Sequence, residues 1–301
     1  MQKIGVMGLG GIAIKAYLPV MLQMQEQVEW HMFTRNEDKL ATLKAKYGLN
    51  HTFHNFDTFI ESGITAVFIH TPTDTHAQLI RKFLNKGIHV YVDKPVSEDI
   101  NEVIELHDLA AQKGLILMTG FNRRVSPINT RLKAVPNKSV ITVQKTRENA
   151  LQDTTFALYD MMIHVVDLAL FLLDAPVINT HYRVVEIEGA LQHASIQFET
   201  EYSTATAMIN MKSGGRSETV EVMSASGFYR SEEMDRLIIN NSEGCSVERF
   251  GDWTPTLDKR GFTQIITTFV QAAKRKEASL NFTSESSIKS HQYIANLIKH
   301  I

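Results

Sequence analysis

Short apolar runs and helix-period stretches alternate through the first part of the chain. Ile4-Gly5-Val6-Met7 is a short buried-strand run. A helical stretch follows from Gly11; Pro19, with no N–H to donate, ends it or restarts it as a second piece. Val28 to Phe33 alternates like a strand. Asn36 to Tyr47 has helical periodicity and stops at Gly48, a C-terminal cap. Ala66 to Ile69 is a second buried-strand run, and Thr75 to Lys86 a helix closed by Gly87. His89 to Val92 is again strand. Glu98 to Lys113 is a helix between an N-cap at Ser97 and a stop at Gly114, and Leu115 to Met118 is a last strand. Strands this short, joined by helices, predict βαβ units around a parallel sheet.

The pattern changes after Gly120. Val140 to Val143, Ala194 to Phe198, Thr204 to Met211 and Thr219 to Met223 read as strands, separated by turn signals such as Ser213-Gly214-Gly215. One helix interrupts them, in Asp160 to Leu173. Helical patterns return at Phe262 to Lys276 and Ser284 to His300. The expected organisation is α/β: residues 1–120 form a doubly wound parallel domain. Residues 121–301 form an α+β domain with a large, mostly antiparallel open sheet, its C-terminal helix free to pack back on the first domain.

The totals narrow the function. Among 301 residues, Lys+Arg 31 against Asp+Glu 33 gives a net charge of −2, with no basic excess to attract nucleic acid or an anionic membrane. The single cysteine, Cys245, excludes an internal disulfide and fits a reducing compartment. No leader is read before the first strand, and the longest apolar run, broken by Asp167 and Asp174, is read as too short for a membrane span. A cytoplasmic location is expected.

Gly8-Leu9-Gly10-Gly11-Ile12-Ala13 fits G-x-G-x-x-A between a strand and a helix. The first glycine permits the tight turn. The second lets the backbone approach a pyrophosphate at the helix N-terminus, and the small third residue lets helix and strand pack closely. At the head of a run of βαβ units this predicts a Rossmann dinucleotide site. The end of the second strand selects the nucleotide, because an Asp or Glu there bonds the ribose 2′-OH and repels a 2′-phosphate. Here Thr34-Arg35-Asn36 stands in its place, and Arg35 can pair with a 2′-phosphate. NADP is expected in preference to NAD. In an open parallel sheet ligands bind beyond the strand carboxyl ends, so Thr71-Pro72 and Asp93-Lys94-Pro95 point to the same crevice. Lys94, partly desolvated there, could transfer a proton.

Taken in order, the glycine turn, Thr71-Pro72 with His76, Asp93-Lys94-Pro95, Gly120-Phe121-Asn122-Arg123-Arg124 and Asp160-x-x-x-His164 resemble the Gfo/Idh/MocA oxidoreductases over nearly the whole chain. The resemblance is greatest to the branch called MviM-like virulence factors. It also takes in Trp253-x-x-Thr256-Leu257-x-x-Arg260-Gly261-Phe262. It implies hydride transfer between NAD(P) and the alcohol or carbonyl of a sugar, cyclitol or similar small molecule. It further implies a homodimer or homotetramer built through the open sheet. Lys94, Asp160 and His164 carry over as the acid/base group. Gly8, Gly10, Gly11, Ile12, Ala13, Thr34, Arg35, Asn36, Thr71, Pro72, His76, Asp93, Lys94 and Asn122 carry over as cofactor contacts. Asp93 stands where the family usually has Glu: the charge is kept and the reach shortened.

In a regular helix Asp160, His164 and Asp167, at i, i+4 and i+7, fall on one stripe among apolar residues. The expectation is that Asp160 and His164 face substrate, with His164 as acid/base, and that Asp167 supports them or lies between domains. His51-x-x-His54 lacks further ligands at a recognisable spacing, so no metal is expected. Two other readings compete: a non-enzymatic dinucleotide-binding regulator, and a glycosidase that uses bound NAD in a transient redox cycle.

Overall fold

The structure, a computed structural model, describes residues 1–301 in two compact units. One comprises residues 1–120 and 262–285, the other 121–261 and 286–301.

The first unit is a parallel six-stranded sheet. Its strands are β1 (Gln2–Met7), β2 (Val28–Phe33), β3 (His51–Phe53), β4 (Ala66–Ile69), β5 (His89–Val92) and β6 (Leu117–Thr119). Their order is β3-β2-β1-β4-β5-β6. Successive strands step outward one way from β1 and then the other way from β4, so a crevice opens between the carboxyl ends of β1 and β4. β4 and β5 are buried along their whole length, as strands covered on both faces must be.

Pro19 restarts its helix: a π-helical turn, Ala13–Tyr17, precedes Leu18–Gln23, which has the proline in its first turn. The N-cap of Ile100–Gln112 is Asp99, whose side chain takes the Asn101 N–H at 2.8 Å. Ser97, expected in that role, instead accepts the Asp99 N–H at 3.1 Å and donates to Glu102 at 2.6 Å. The edge strand β3 and the short helix Phe56–Glu61 were not legible, being too brief to display a period. Helix Phe262–Arg275 completes this core; the Phe269 ring lies 4.9 Å from Phe68 and 5.6 Å from Tyr91.

The second unit is built on an eight-stranded sheet of order β14-β13-β12-β11-β7-β10-β9-β8. β7 is Lys138–Glu148, β8 Asn179–Ile187, β9 Ala190–Glu199 and β10 Thr204–Ser213. β11 is Ser217–Ser224, β12 Gly227–Glu232, β13 Arg236–Asn241 and β14 Gly244–Arg249. All neighbours are antiparallel except β7 and β10. Between them in sequence runs a helix, Thr154–Leu172, capped by Asp153 and packed on both strands. Over 19 residues it is long and apolar enough to cross a membrane, which corrects the expectation that this run falls short. Its burial within the unit accounts for the same composition, as for any core helix.

The charged side chain sealed inside that helix's packing is Asp167, fully buried. Arg124 grips it with two hydrogen bonds, one of them from Nε to Oδ2 at 2.9 Å. Ser290 Oγ donates to Oδ1 at 2.8 Å. Burial raises the Asp167 carboxyl pKa against the pull of Arg124 and Ser290. The arrangement fastens the segment after β6 and the C-terminal helix Ser284–Ile298 to the core helix. Removing one charge strands the other in an apolar interior. Asp167→Ala is therefore expected to cost about 3–5 kcal/mol of unfolding free energy, read from urea denaturation. A loss within the range of an ordinary surface change, about 0.5 kcal/mol, would refute this role.

Candidate active site

At the carboxyl ends of β1, β2 and β4 the first unit holds a cavity of about 630 Å³. Gly8 forms its floor at φ +93, where an added Cβ would lie 2.9 Å from the His70 carbonyl. Only glycine meets both the torsion and the close approach. Around Gly10 the nearest atom to such a Cβ is 3.9 Å away, and around Gly11 nothing lies within 4 Å. The backbone there is open to a bulky anion, at the start of a helix whose first N–H groups have no partner further back in the helix. Ala13 is buried and packs the helix down, and Ile12 points outward, 47% exposed.

The other wall is cationic. Thr34, Arg35, Asn36, Lys39 and Lys82 line it, and no Asp or Glu lines the cavity anywhere. Asn36 caps the helix Glu37–Tyr47, accepting the Lys39 N–H at 2.8 Å. That turn sets Arg35 and Lys39 on the same rim. Thr71 and Pro72 line the β4 side.

Deeper in the same unit, Asp93 spends both carboxylate oxygens inward. Oδ2 takes His70 Nδ1–H at 2.8 Å and Oδ1 takes the Tyr17 hydroxyl at 2.6 Å. The Tyr91 hydroxyl lies 2.7 Å from that of Tyr17. Burial works to raise the Asp93 pKa, but His70 and Tyr17 outweigh it and hold the carboxyl below its ordinary value. Both phenols are pushed up, by burial first and then by the Asp93 charge. His76 is also buried; its ring nitrogens lie 2.8 Å from the Pro95 and Thr71 carbonyl oxygens. It braces the Thr71-Pro72 loop to the Asp93-Lys94-Pro95 turn. Lys94, half-buried, stands between these two restraints.

In the second unit the core helix carries Asp160 and His164, both half-buried, with Asp160 inside a π-helical turn, Leu158–Met162. Arg123 Nη1 lies 2.8 Å from His164 Nδ1. A guanidinium only donates, so His164 Nδ1 accepts, and in the neutral ring the proton sits on Nε2. Arg123 is itself held by Glu218 through Nε and Nη2, and Lys145 Nζ lies 2.9 Å from the same carboxylate. Burial opposes the Glu218 charge, but Arg123 and Lys145 overcome it and hold its pKa far below the ordinary value. Lys145 is pulled down to about 8, by burial and then by Arg123.

Residues 2–121 match the model of an oxidoreductase family with an NAD-binding Rossmann fold, and residues 127–242 match that of the YceM-like C-terminal domain. Residues 2–121 thus carry the NAD-binding domain of the Gfo/Idh/MocA oxidoreductases. YceM of Salmonella typhimurium is 29% identical over 278 residues, 91% of this chain and 90% of that one. An inositol 2-dehydrogenase of Rhizobium meliloti is 26% identical over 239 residues, 70% of this chain and 71% of its own. The crystal structure of an MviM dehydrogenase from Clostridium difficile superposes with a TM-score of 0.94 at 28% identity, covering 100% of this chain and 99% of that one.

Within this chain the expected cofactor contacts divide. Gly8, Gly10, Thr34, Arg35, Asn36, Thr71 and Pro72 line the cavity. Three others have side chains engaged within the protein. Asp93 is turned inward to His70 and Tyr17, since its short side chain is satisfied there. His76 binds two backbone carbonyls and does not line the cavity. Asn122, in the second unit, donates to the Arg260 carbonyl at 2.8 Å. The helical stripe is divided too: Asp160 and His164 are half-buried, whereas Asp167 is sealed against Arg124. Lys39 and Lys82 were missed: Lys39 sits in the first turn of the helix after β2, and Lys82 in the last turn of His76–Asn85, where no strand end marks it. The Glu218–Lys145 support of Arg123 was missed as well. No spacing joins residues 95 positions apart.

Asp93 and Glu218 both have folded pKa values below their ordinary 3.8 and 4.5. The unfolded chain therefore binds protons that the folded one refuses. The stability they add is complete above those ordinary values and is lost as pH falls through the folded ones. The urea midpoint is expected to drop on acidification below pH 4.5, and less steeply in Glu218→Gln. Equal slopes in the two proteins would show that Glu218 contributes none of it.

Proposed function

We propose that this chain transfers hydride between NADP and the alcohol or carbonyl carbon of a small polyhydroxylated molecule, of the sugar or cyclitol class. The observation that carries the cofactor choice is the set of cations on the cavity, Arg35 and Lys39 after β2 and Lys82 on the helix after β4, with no carboxylate among the lining residues. An acid at the end of β2 would repel a 2′-phosphate; three cations attract one. The inositol 2-dehydrogenase among the relatives supports a polyol or its ketone as substrate. A homodimer or homotetramer formed through the open sheet of the second unit is part of the same reading.

The nicotinamide supplies the hydride when it is bound. The chain's own residues position and polarise. His164, held by Arg123 at Nδ1 and so protonated at Nε2, donates a hydrogen bond to the reacting oxygen and stabilises the charge that develops there. That revises its expected role: with Nδ1 already taken, the ring polarises the oxygen and the proton is carried elsewhere. Lys94 moves the proton, and Asp160 orients neighbouring hydroxyls.

Two measurements test this. Nicotinamide fluorescence should show NADPH binding at least tenfold tighter than NADH, with the difference largely lost in Arg35→Ala. Tighter NADH binding would overturn the NADP assignment. With a turned-over polyol or ketone in hand, His164→Ala should lower kcat by about 10²–10³-fold, as loss of an oxyanion donor does. His164→Gln, which can still donate, should retain more activity and keep the wild-type pH profile. Loss of one limb of that profile in the glutamine variant would return His164 to the role of proton carrier.

A further inference from the structure

We propose that Glu29, His31 and His51 form a binding site for a divalent transition-metal ion of the zinc type, separate from the nucleotide cavity. Glu29 and His31 are alternate residues of β2 and share a face of the strand. His51 opens β3 directly opposite His31 in the parallel register. Glu29 Oε1 lies 2.8 Å from His31 Nε2 and 3.8 Å from His51 Nε2, and one ligand atom from each residue falls within 4.8 Å of the others. None of the three lines the cavity.

The donor and acceptor count at His31 points to a cation. Ser62 Oγ lies 2.6 Å from the Phe59 carbonyl and spends its one proton there. It therefore accepts from His31 Nδ1–H at 2.7 Å. That leaves the Nε2 lone pair facing a carboxylate oxygen, and two acceptors 2.8 Å apart need positive charge between them. A ligating histidine that gives its other N–H to a fixed acceptor is the usual support of a metal site. Two imidazoles and one carboxylate suit zinc and its neighbours, with solvent completing the coordination.

Bonds of 2.0–2.1 Å in a tetrahedral site put ligand atoms about 3.4 Å apart, inside the range found here. The His31 ring is 3% exposed and held, whereas His51 is 45% exposed. His51 now stacks on His31 at 4.8 Å and 13° between planes, and turns out of that stack to close on the ion. Lys3 Nζ, 3.7 Å from Glu29, is 44% exposed and can swing away. An ion here would tie the edge strand β3 to β2, three residues before His54, which lines the cavity together with Asn55 and Phe56.

The test uses the full chain, stripped with a chelator and titrated with Co²⁺ and then with Zn²⁺. The expected result is one equivalent of Co²⁺, with the visible absorption of a low-coordinate site, displaced by Zn²⁺. His51→Ala and Glu29→Gln should each weaken binding at least tenfold, and Ser62→Ala by about 10-fold through loss of the second contact. His181→Ala, a change at another exposed histidine, should leave it unchanged. His51 is exposed, so its variant remains folded, which circular dichroism checks. Failure to take up one equivalent would overturn the site and leave His31 and Glu29 as a protonated ion pair. So would uptake undiminished in His51→Ala and Glu29→Gln, or diminished equally in His181→Ala.

Discussion

Three segments that shape the nucleotide site leave neighbouring strand ends of the first unit, and the largely buried carboxylate of Asp93 holds them in place. It takes one hydrogen bond from His70, at the end of the β4 strand, and one from Tyr17, on the helix that follows the glycine turn. Asp93 itself directly follows the β5 strand, next to Lys94. A buried charge is tolerated only when its lone pairs are filled, so each partner is tied to the same point. His76 adds a second tie between the same loops. The nucleotide wall and the turn that carries Lys94 thus share one polar core, and the shorter acid at position 93 fits it by reaching inward.

The second unit solves a related problem with opposite charge. Glu218 lies between two buried cations, Arg123 and Lys145, and the guanidinium extends from it to His164. Burial penalises every member, and only mutual pairing keeps them charged. The reward is specificity of state. A histidine whose Nδ1 is occupied by a permanent donor has one neutral tautomer available, and its other nitrogen is a donor. Rigid presentation of that N–H is what an oxygen gaining negative charge requires.

Much of this was legible before any coordinates. The parallel sheet follows from short apolar runs between helix-period stretches, and Gly8, Gly10, Thr34 and Arg35 from the chemistry that a phosphate-binding turn demands. What could not be read was contact between distant positions. His31 and His51 become neighbours only through strand register, and Glu218 meets Lys145 only because the β11 strand lies beside β7. Asp93 looked like a ligand of the cofactor because its strand end faces the crevice. Sequence does not show which way a short side chain turns once Tyr17 and His70 are within reach. Asp167 was read as a supporting or interdomain residue, but its partner could not be named, because Arg124 is remote in sequence.

The π-helical turn at Leu158–Met162 carries a consequence for how this chain is compared with others. Such a turn holds one residue more than the α-helix it interrupts, so it behaves as an insertion concealed inside continuous secondary structure. Any relative lacking it would present a helix one residue shorter between the Asp153 cap and His164. An alignment without a gap would then pair His164 with an apolar neighbour. Lineages that gained or lost the turn would look as though they had lost the histidine, when only its place in the count had moved.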